Sequence, residues 1–330
     1  MIHSKLYVSI ILSFVLFSCS SDDKATQIIE ADRESGAFVR TLSFNNSDLI
    51  QNDLTSTFSV NLEVQDEDQG ALLDRLEVFV TFNDNTPDNG AESSQEVLIR
   101  TLGSDVFTEG SSGLPRHTLA LTQSELLSAT NISPDNVQCQ DQFQIRLKLN
   151  LTDGRSFSVE DGSSSVVIAF DTLFSSPFCY TVNIVEPIDT NQFIGMYQYT
   201  SIVNGPFGPT FGTPKIVEIK RGSSINSRIF EADYIVSRQN EPSRPFTFLV
   251  ACDEIIFGKN QISSFFSWCR PGGGFSFGGS PVLLGPDVTN SQINPLDDSS
   301  FELQFVEGYL GWDGDCEFGT VPVRIQFTKQ

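Results

Sequence analysis

The amino-acid sequence predicts an all-β chain in two parts. Two observations predict it: apolar and polar residues alternate with period two over much of the 330 residues, and clusters of Gly, Asn, Asp and Pro cut the alternation into runs of strand length. Successive side chains of a strand point to opposite faces, so this alternation marks strands with one face in a core and the other in water.

In the first part, Phe58, Val60, Leu62 and Val64 alternate with Ser59, Asn61, Glu63 and Gln65. Phe143, Ile145, Leu147, Leu149 and Leu151 likewise alternate with Gln144, Arg146, Lys148 and Asn150. Comparable runs cover residues 37–45, 76–83, 96–102, 155–160, 165–170 and 178–184. Strands at this spacing predict an immunoglobulin-like β-sandwich over residues 35–186. One short helix is expected, because Thr122-Gln123-Ser124-Glu125 reads as a capping box ahead of Leu126, Leu127 and Ala129. Pro187-Ile188-Asp189-Thr190 reads as a linker, and a second β series opens at Phe193. Its runs fall near 215–220, 228–237, 246–251, 254–257, 264–268, 281–284, 301–306 and 321–328. They predict a small antiparallel β-barrel or a second sandwich over residues 187–330.

The chain begins with a basic residue, Lys5, and an apolar run from Leu6 to Phe17 interrupted by Ser9 and Ser13. This is a secretory segment too short to remain as a membrane-spanning helix. Leu16-Phe17-Ser18-Cys19 resembles a lipobox, the pattern at which bacterial lipoprotein precursors are acylated on cysteine and cut just before it. Residues 1–18 are then a signal peptide and Cys19 is the lipidated first residue. At roughly 0.8 kcal/mol per buried CH₂, several acyl chains anchor a protein to a membrane without spanning it. Ser20-Ser21-Asp22-Asp23 follows. Serine beside the cysteine resembles outer-membrane sorting, and the serine-plus-acidic cluster resembles the surface-export signal of Bacteroidetes lipoproteins. Residues 19–34 read as a flexible polar tether, so the expected location is the outer membrane, lipid-anchored and exposed at the cell surface.

The formal charge is −22 and the isoelectric point about 4.3. The 20 Lys and Arg residues are scattered, which argues against nucleic acid as a partner. The 28 phenylalanines and a hydrophobic content of 39% can fill two cores. Of the six cysteines, Cys19 is committed to lipid, leaving Cys139, Cys179, Cys252, Cys269 and Cys316. An oxidising compartment makes disulfides the expectation, and an odd number leaves a free thiol. The expected pairing is Cys139 with Cys179 and two of the other three. A Cys252 to Cys269 bridge would close about 17 residues and add roughly 3 kcal/mol.

Candidate chemistry is sparse. His3 leaves with the signal segment, so His117 is the one histidine for a catalytic triad and a multi-histidine metal site is excluded. Asp66 and Asp68 follow one strand run, and Asp84 and Asp88 follow the next. If the two loops share one end of the sandwich, their oxygens suit Ca²⁺; otherwise they are turn residues. The Gly/Pro-rich stretches 205–212 and 271–279 display Phe207, Phe211, Phe275 and Phe277, which either fold over a barrel mouth or stack on a ligand. Trp268 and Trp312, the latter with Asp313 beside it, form either a sugar-stacking platform or core. A hydrolase would need two opposed carboxylates across a cleft, and with 42 acidic residues abundance points to no particular pair.

Phe193-Ile194-Gly195-Met196-Tyr197, Leu249-Val250-Ala251-Cys252, Asp297-Asp298-Ser299-Ser300-Phe301 and Asp315-Cys316 followed by Val321-Pro322-Val323-Arg324 resemble the C-terminal domain of uncharacterised two-domain Bacteroidetes outer-membrane lipoproteins. The resemblance covers most of residues 35–330. It implies a setting in Sus-type nutrient uptake, with a TonB-dependent outer-membrane transporter complex as partner; it assigns no ligand to any residue, and glycan is the partner that the aromatic residues themselves suggest. The expectation is a non-catalytic accessory protein that binds a ligand or a membrane partner. A purely structural or adhesive surface protein and a carboxylate-based hydrolase are the alternatives.

Overall fold

The computed structural model describes residues 36–90, 92–161, 176–235, 242–264, 268–269, 280–308 and 319–330, with backbone alone at 268–269 and 280–281. The expected signal segment, Cys19, the expected tether and the run expected at 165–170 lie outside the described residues. Residues Ala37–Gln330 form one compact unit holding two cores, and the all-β reading holds.

The first lobe contains β1 (Phe38–Asn46), β2 (Leu49–Ile50), β3 (Thr57–Gln65), β4 (Leu73–Asn83), β5 (Val97–Gly103), β6 (Thr108–Glu109), β7 (Pro115–Thr122), α1 (Gln123–Thr130), β8 (Gln142–Leu151), β9 (Ser156–Phe157) and β10 (Cys179–Val185). One sheet runs β1-β3-β7-β6 and the other β2-β10-β8-β4-β5, with β9 on β8. The two inner faces supply one apolar core, in which Phe58, Val60 and Leu62 meet Val78, Val80 and Leu147. This is a two-layer sandwich whose inward rows are those the alternation marks.

The helix begins as its capping box requires. Thr122 Oγ1 accepts from the Glu125 amide at 3.2 Å, and Glu125 Oε2 accepts from the Thr122 amide at 2.9 Å. The reciprocal bonds satisfy two amides that the first turn leaves open, while Leu126 and Leu127 anchor the helix in the core.

Glu63 departs from the expected pattern. It lies in the outward row of β3 yet is only 1% exposed, because Arg40, Arg116 and Ser112 cover it. Its oxygens lie 2.6 Å from both Arg40 Nη1 and Arg116 Nη2. Burial alone would raise the Glu63 carboxyl, but hydrogen bonds from Ser112 and Arg116 and the charges of Arg116 and Arg40 hold it below its ordinary value. A depressed carboxyl stabilises the fold above its unfolded value of about 4.3 and loses that contribution as pH falls. Unfolding free energy, measured from neutral pH down through that range, is expected to fall less steeply in Glu63→Gln than in the native chain. Parallel curves would show that Glu63 carries none of the acid sensitivity.

The second lobe contains β11 (Gly195–Val203), β12 (Ile216–Arg221), β13 (Ser227–Ala232), β14 (Arg244–Ala251), β15 (Glu254–Phe257), β16 (Gln261–Ile262), β17 (Trp268–Cys269), β18 (Ser280–Pro281), β19 (Leu283–Gly285), β20 (Ser291–Gln292), β21 (Ser300–Glu307) and β22 (Val321–Lys329). Apart from the β17-β18 hairpin, they form one sheet in the order β16-β19-β21-β22-β11-β12-β13-β14-β15-β20. The sheet curls until Phe257 of β15 stacks on Phe305 of β21 with ring centroids 4.5 Å apart. Side chains fill its interior: Phe230, Phe246 and Phe301 are buried with Tyr197, Tyr199 and Phe327. Many of the phenylalanines are therefore packing residues of this barrel-like core.

The disulfide differs from the expected pairing. Cys139 bonds to Cys252, with Cα atoms 6.1 Å apart, and Cys179 is a free thiol. Cys179 pairs in register with Arg146 on β8, whereas Cys139 precedes the start of that strand. At about 3.3 Å per residue the two positions lie roughly 20 Å apart along the sheet, far beyond disulfide reach. Cys252 is consequently not available to Cys269. The bridge joins the two lobes, beside an apolar contact of Val185 with Leu249 and Ala251.

The segment expected as a linker is fastened down. Asn226 donates to the carbonyls of Glu186 at 2.6 Å and Val250 at 2.7 Å, and its Oδ1 accepts from the Ile188 amide at 3.4 Å. Arg228, fully buried, donates to Gln192 O at 2.8 Å and Asp189 O at 3.4 Å.

Candidate functional site

In the second lobe, successive strand registers bring several chain connections to one end of the sheet. Val203 at the end of β11 pairs with Arg324 near the start of β22. Glu307 at the end of β21 pairs with Val321 and with Leu284 of β19. Ala232 at the end of β13 pairs with Arg244, and the Ile235 amide donates to Thr210 O at 2.8 Å. The ends of β11, β13 and β21 and the starts of β14 and β22 thus lie at a common end of the sheet. The β16-β19 pair, from which the chain runs out to the β17-β18 hairpin, lies there too.

A buried polar cluster holds this end together. Glu307 continues the inward row of Phe301, Leu303 and Phe305 and has no exposed surface. Thr210 Oγ1 donates to its Oε1 at 2.6 Å, and the Tyr234 hydroxyl donates to its Oε2 at 2.7 Å. Gly205 packs against the same carboxyl so closely that a Cβ there would collide with it. Burial raises the Glu307 carboxyl, with the two hydroxyls opposing. Burial together with the neighbouring Glu307 raises the Tyr234 hydroxyl. Both oxygens are engaged within the protein, so the cluster clamps two loops onto the barrel end.

The expected aromatic residues divide. Phe211 is 2% exposed and plugs the barrel, 4.8 Å from Phe246 and 5.8 Å from Phe305 between centroids. The Tyr199 hydroxyl secures it by donating to Phe211 O at 2.7 Å. It is therefore not a displayed ligand platform: the ring enters the space left between β11, β13 and β21. Phe207, in the same loop, is 48% exposed. The Trp268 side chain, Phe275, Phe277, Trp312 and Asp313 lie outside the described residues, as do Cys316 and the Cys269 side chain. The backbone of Trp268 pairs with Pro281.

The four aspartates grouped for calcium are separated. Asp66 and Asp68 precede β4 and Asp84 and Asp88 follow it, and that strand has 11 residues, a span of roughly 35 Å. They cannot surround one ion. Asp66 is a turn residue: its Oδ1 accepts from the amides of Asp68 and Gly70 at 2.9 and 2.8 Å, and its Oδ2 from Leu72 at 3.1 Å. Asp84 Oδ1 accepts from the Thr86 amide at 2.8 Å. Among the described residues, no group of three His, Cys, Asp or Glu is placed to hold a metal. His117 lies on β7 with Nδ1 3.2 Å from Val106 O and its ring against Phe107.

Residues that, apart from Cys179, the sequence did not single out bound a second feature. A cleft of about 440 Å³ opens between the lobes, lined by Asp48, Cys179, Asn183, Thr247, Lys259 and Asn260 among others. Its two walls come from segments far apart in the chain, and only the folded register brings them together. No family model matches the sequence, and no curated protein matches it.

Proposed function

We propose that the protein is a non-catalytic, lipid-anchored surface protein that binds glycan or a membrane partner through the loop-bearing end of its second lobe. It would serve as an accessory component of outer-membrane nutrient uptake. The observation that carries this reading is the convergence of the loop connections on one end of the curled sheet. In the sequence, Trp312 and Asp313 fall between β21 and β22, whose facing ends, Glu307 and Val321, lie at that end. The chain between β17 and β18 carries Phe275 and Phe277, and β17 itself begins at Trp268. Phe207 is exposed on the neighbouring loop. Aromatic faces beside polar groups suit the apolar faces and hydroxyls of a sugar. The barrel interior is filled, so a ligand of this lobe would sit on the loops and not within the sheet.

The test is a glycan and polysaccharide binding screen on the chain from residue 25 onward, with Trp268→Ala and Trp312→Ala alongside. Saturable binding lost in both variants is the expected result. Silence across a broad panel, with both variants merely less stable, would replace this reading with a structural or adhesive one. The cross-lobe disulfide favours that second reading, because a spacer benefits from a fixed angle between its parts.

A further inference from the structure

We propose that the cleft between the lobes is a second binding site, for an uncharged, hydroxyl-bearing small molecule of about disaccharide size. One wall is the outward row of β10, with Cys179, Thr181 and Asn183; the other carries Thr247 and Leu249 of β14 and Ile256 of β15. Leu249 and Ile256 belong to the apolar contact between the lobes, giving the site an apolar strip between rims of hydroxyls and amides. Its volume of about 440 Å³ is that of a ligand site, and junctions between lobes are a preferred place for one.

The cleft is preformed. The Cys139–Cys252 bridge ties the lobes covalently. At one end Ser47 Oγ lies 3.3 Å from Ser223 Oγ, and Asp48 bonds to Asn183 of its own lobe and Ser224 of the other. Elsewhere Lys259 Nζ donates across to Thr181 Oγ1 at 3.2 Å, and Gln140 Nε2 lies 3.4 Å from Asp253 Oδ1. A site held open in this way orders little of itself when a ligand enters.

Its chemistry selects the ligand. The Asp48 carboxylate is buried and takes hydrogen bonds from Ser224, Asn183 and Ser47, so its oxygens are occupied by protein donors and have little to offer a cation. An anion would meet Lys259, but also that carboxylate and a chain of net charge −22. The open requirement is an uncharged donor: Asn260 lines the cleft and its Oδ1 is buried without a hydrogen-bond partner, a costly state that a turn of the side chain toward an incoming hydroxyl would relieve. Threonine, serine and amide side chains around it can exchange bonds with further hydroxyls.

Cys179 reports occupancy, because its thiol is free and lines the cleft. The experiment follows alkylation of Cys179 by N-ethylmaleimide, resolved by peptide mass spectrometry, in the oxidised protein. Cellobiose, maltose, lactose and sucrose serve as probes at high millimolar concentration. At least one is expected to slow Cys179 alkylation about fivefold, the protection of a site mostly filled. Asn260 has φ 54°, a left-handed conformation that glycine adopts freely, so Asn260→Gly removes the acceptor without backbone strain and is expected to abolish the protection. Thr181→Phe, which fills the cleft from β10, is expected to do the same. Trp312→Ala is expected to leave it unchanged, which separates this site from the loop end. No protection by any of the four sugars, or protection that survives both cleft variants, would overturn the proposal.

Discussion

Replacing Cys139 and Cys252 together by serine is expected to lower the unfolding free energy by about 4 kcal/mol. The bridge closes a sequence separation of 113 residues. In the chain-entropy account, a loop of that length restricts the unfolded ensemble by roughly 4 to 5 kcal/mol. The apolar contact it supplements is small, built on Val185, Leu249 and Ala251 with the partly buried Ile50 and Ile256. The two cores share no residue. Removing the bridge should therefore move the urea midpoint down by about 1 M and also divide the unfolding curve, with the two lobes melting separately. Tryptophan fluorescence, whose two reporters belong to the second lobe's sequence, and far-ultraviolet circular dichroism would cease to coincide. A loss below about 1 kcal/mol with coincident curves would mean that the lobes cooperate through their surfaces alone. Cys179→Ser is the control, since that thiol forms no bridge.

What could be read before folding follows from how local each signal is. The β8 strand was legible because Phe143, Ile145, Leu147, Leu149 and Leu151 all face the core, and five residues in phase outweigh any local exception. The helix was legible because Thr122 and Glu125 carry its start between them. Strand β7 was harder: only Leu119 and Leu121 of its eight residues are buried apolar side chains, and its pairing with β3 supplies the rest. Glu63 looked like a solvated residue because the arginines that cover it come from β1 and β7, remote in sequence. Phe211 and Phe207 sit four residues apart in one Gly/Pro-rich loop, and local composition does not distinguish the ring that enters the barrel from the one that stays out. The calcium grouping failed for a geometric reason, since loops on either side of one strand necessarily leave from opposite ends.

Among the described residues, the two buried charges of the second lobe, Glu307 and Arg228, did leave a signal of phase. Glu307 follows Phe301, Leu303 and Phe305 at intervals of two, and Arg228 precedes Phe230 and Ala232 at the same interval. A charge in step with an inward row is either a fault in the pattern or a buried group with partners. The partners resolve it, and for Glu307 they are two hydroxyls on separate loops. The cleft left no such signal, because Lys259 and Asn260 follow an ordinary strand and acquire neighbours on β10 only through the junction of the lobes.

Arg228 carries the other large effect. Its guanidinium donates to Gln192 O, Asp189 O, Ile225 O and Ser227 O; no carboxylate is among these acceptors. Burial, reinforced by the charge of Arg221, pushes it down to about 10, so it remains cationic at neutral pH and is solvated there by main-chain carbonyls. Arg228→Met keeps much of the volume and removes the charge, but it leaves the carbonyls of Gln192 and Asp189 without this donor. Each unsatisfied buried acceptor costs about 1 to 3 kcal/mol, and relief of the buried charge offsets part of the total. The net expectation is a loss of about 3 kcal/mol in urea unfolding. Arg228→Lys should not restore it, because one ammonium cannot reproduce a planar fork of five donors. Asn226→Ala should cost about 2 kcal/mol by the same reasoning, since it removes two donors from buried carbonyls. The double variant should lose less than the sum, because both residues hold the same strap, Glu186 to Gln192, against the sheet. Strict additivity would show that the strap is held elsewhere. An Arg228→Met protein as stable as the native chain would show that the buried guanidinium costs the fold as much as its hydrogen bonds return.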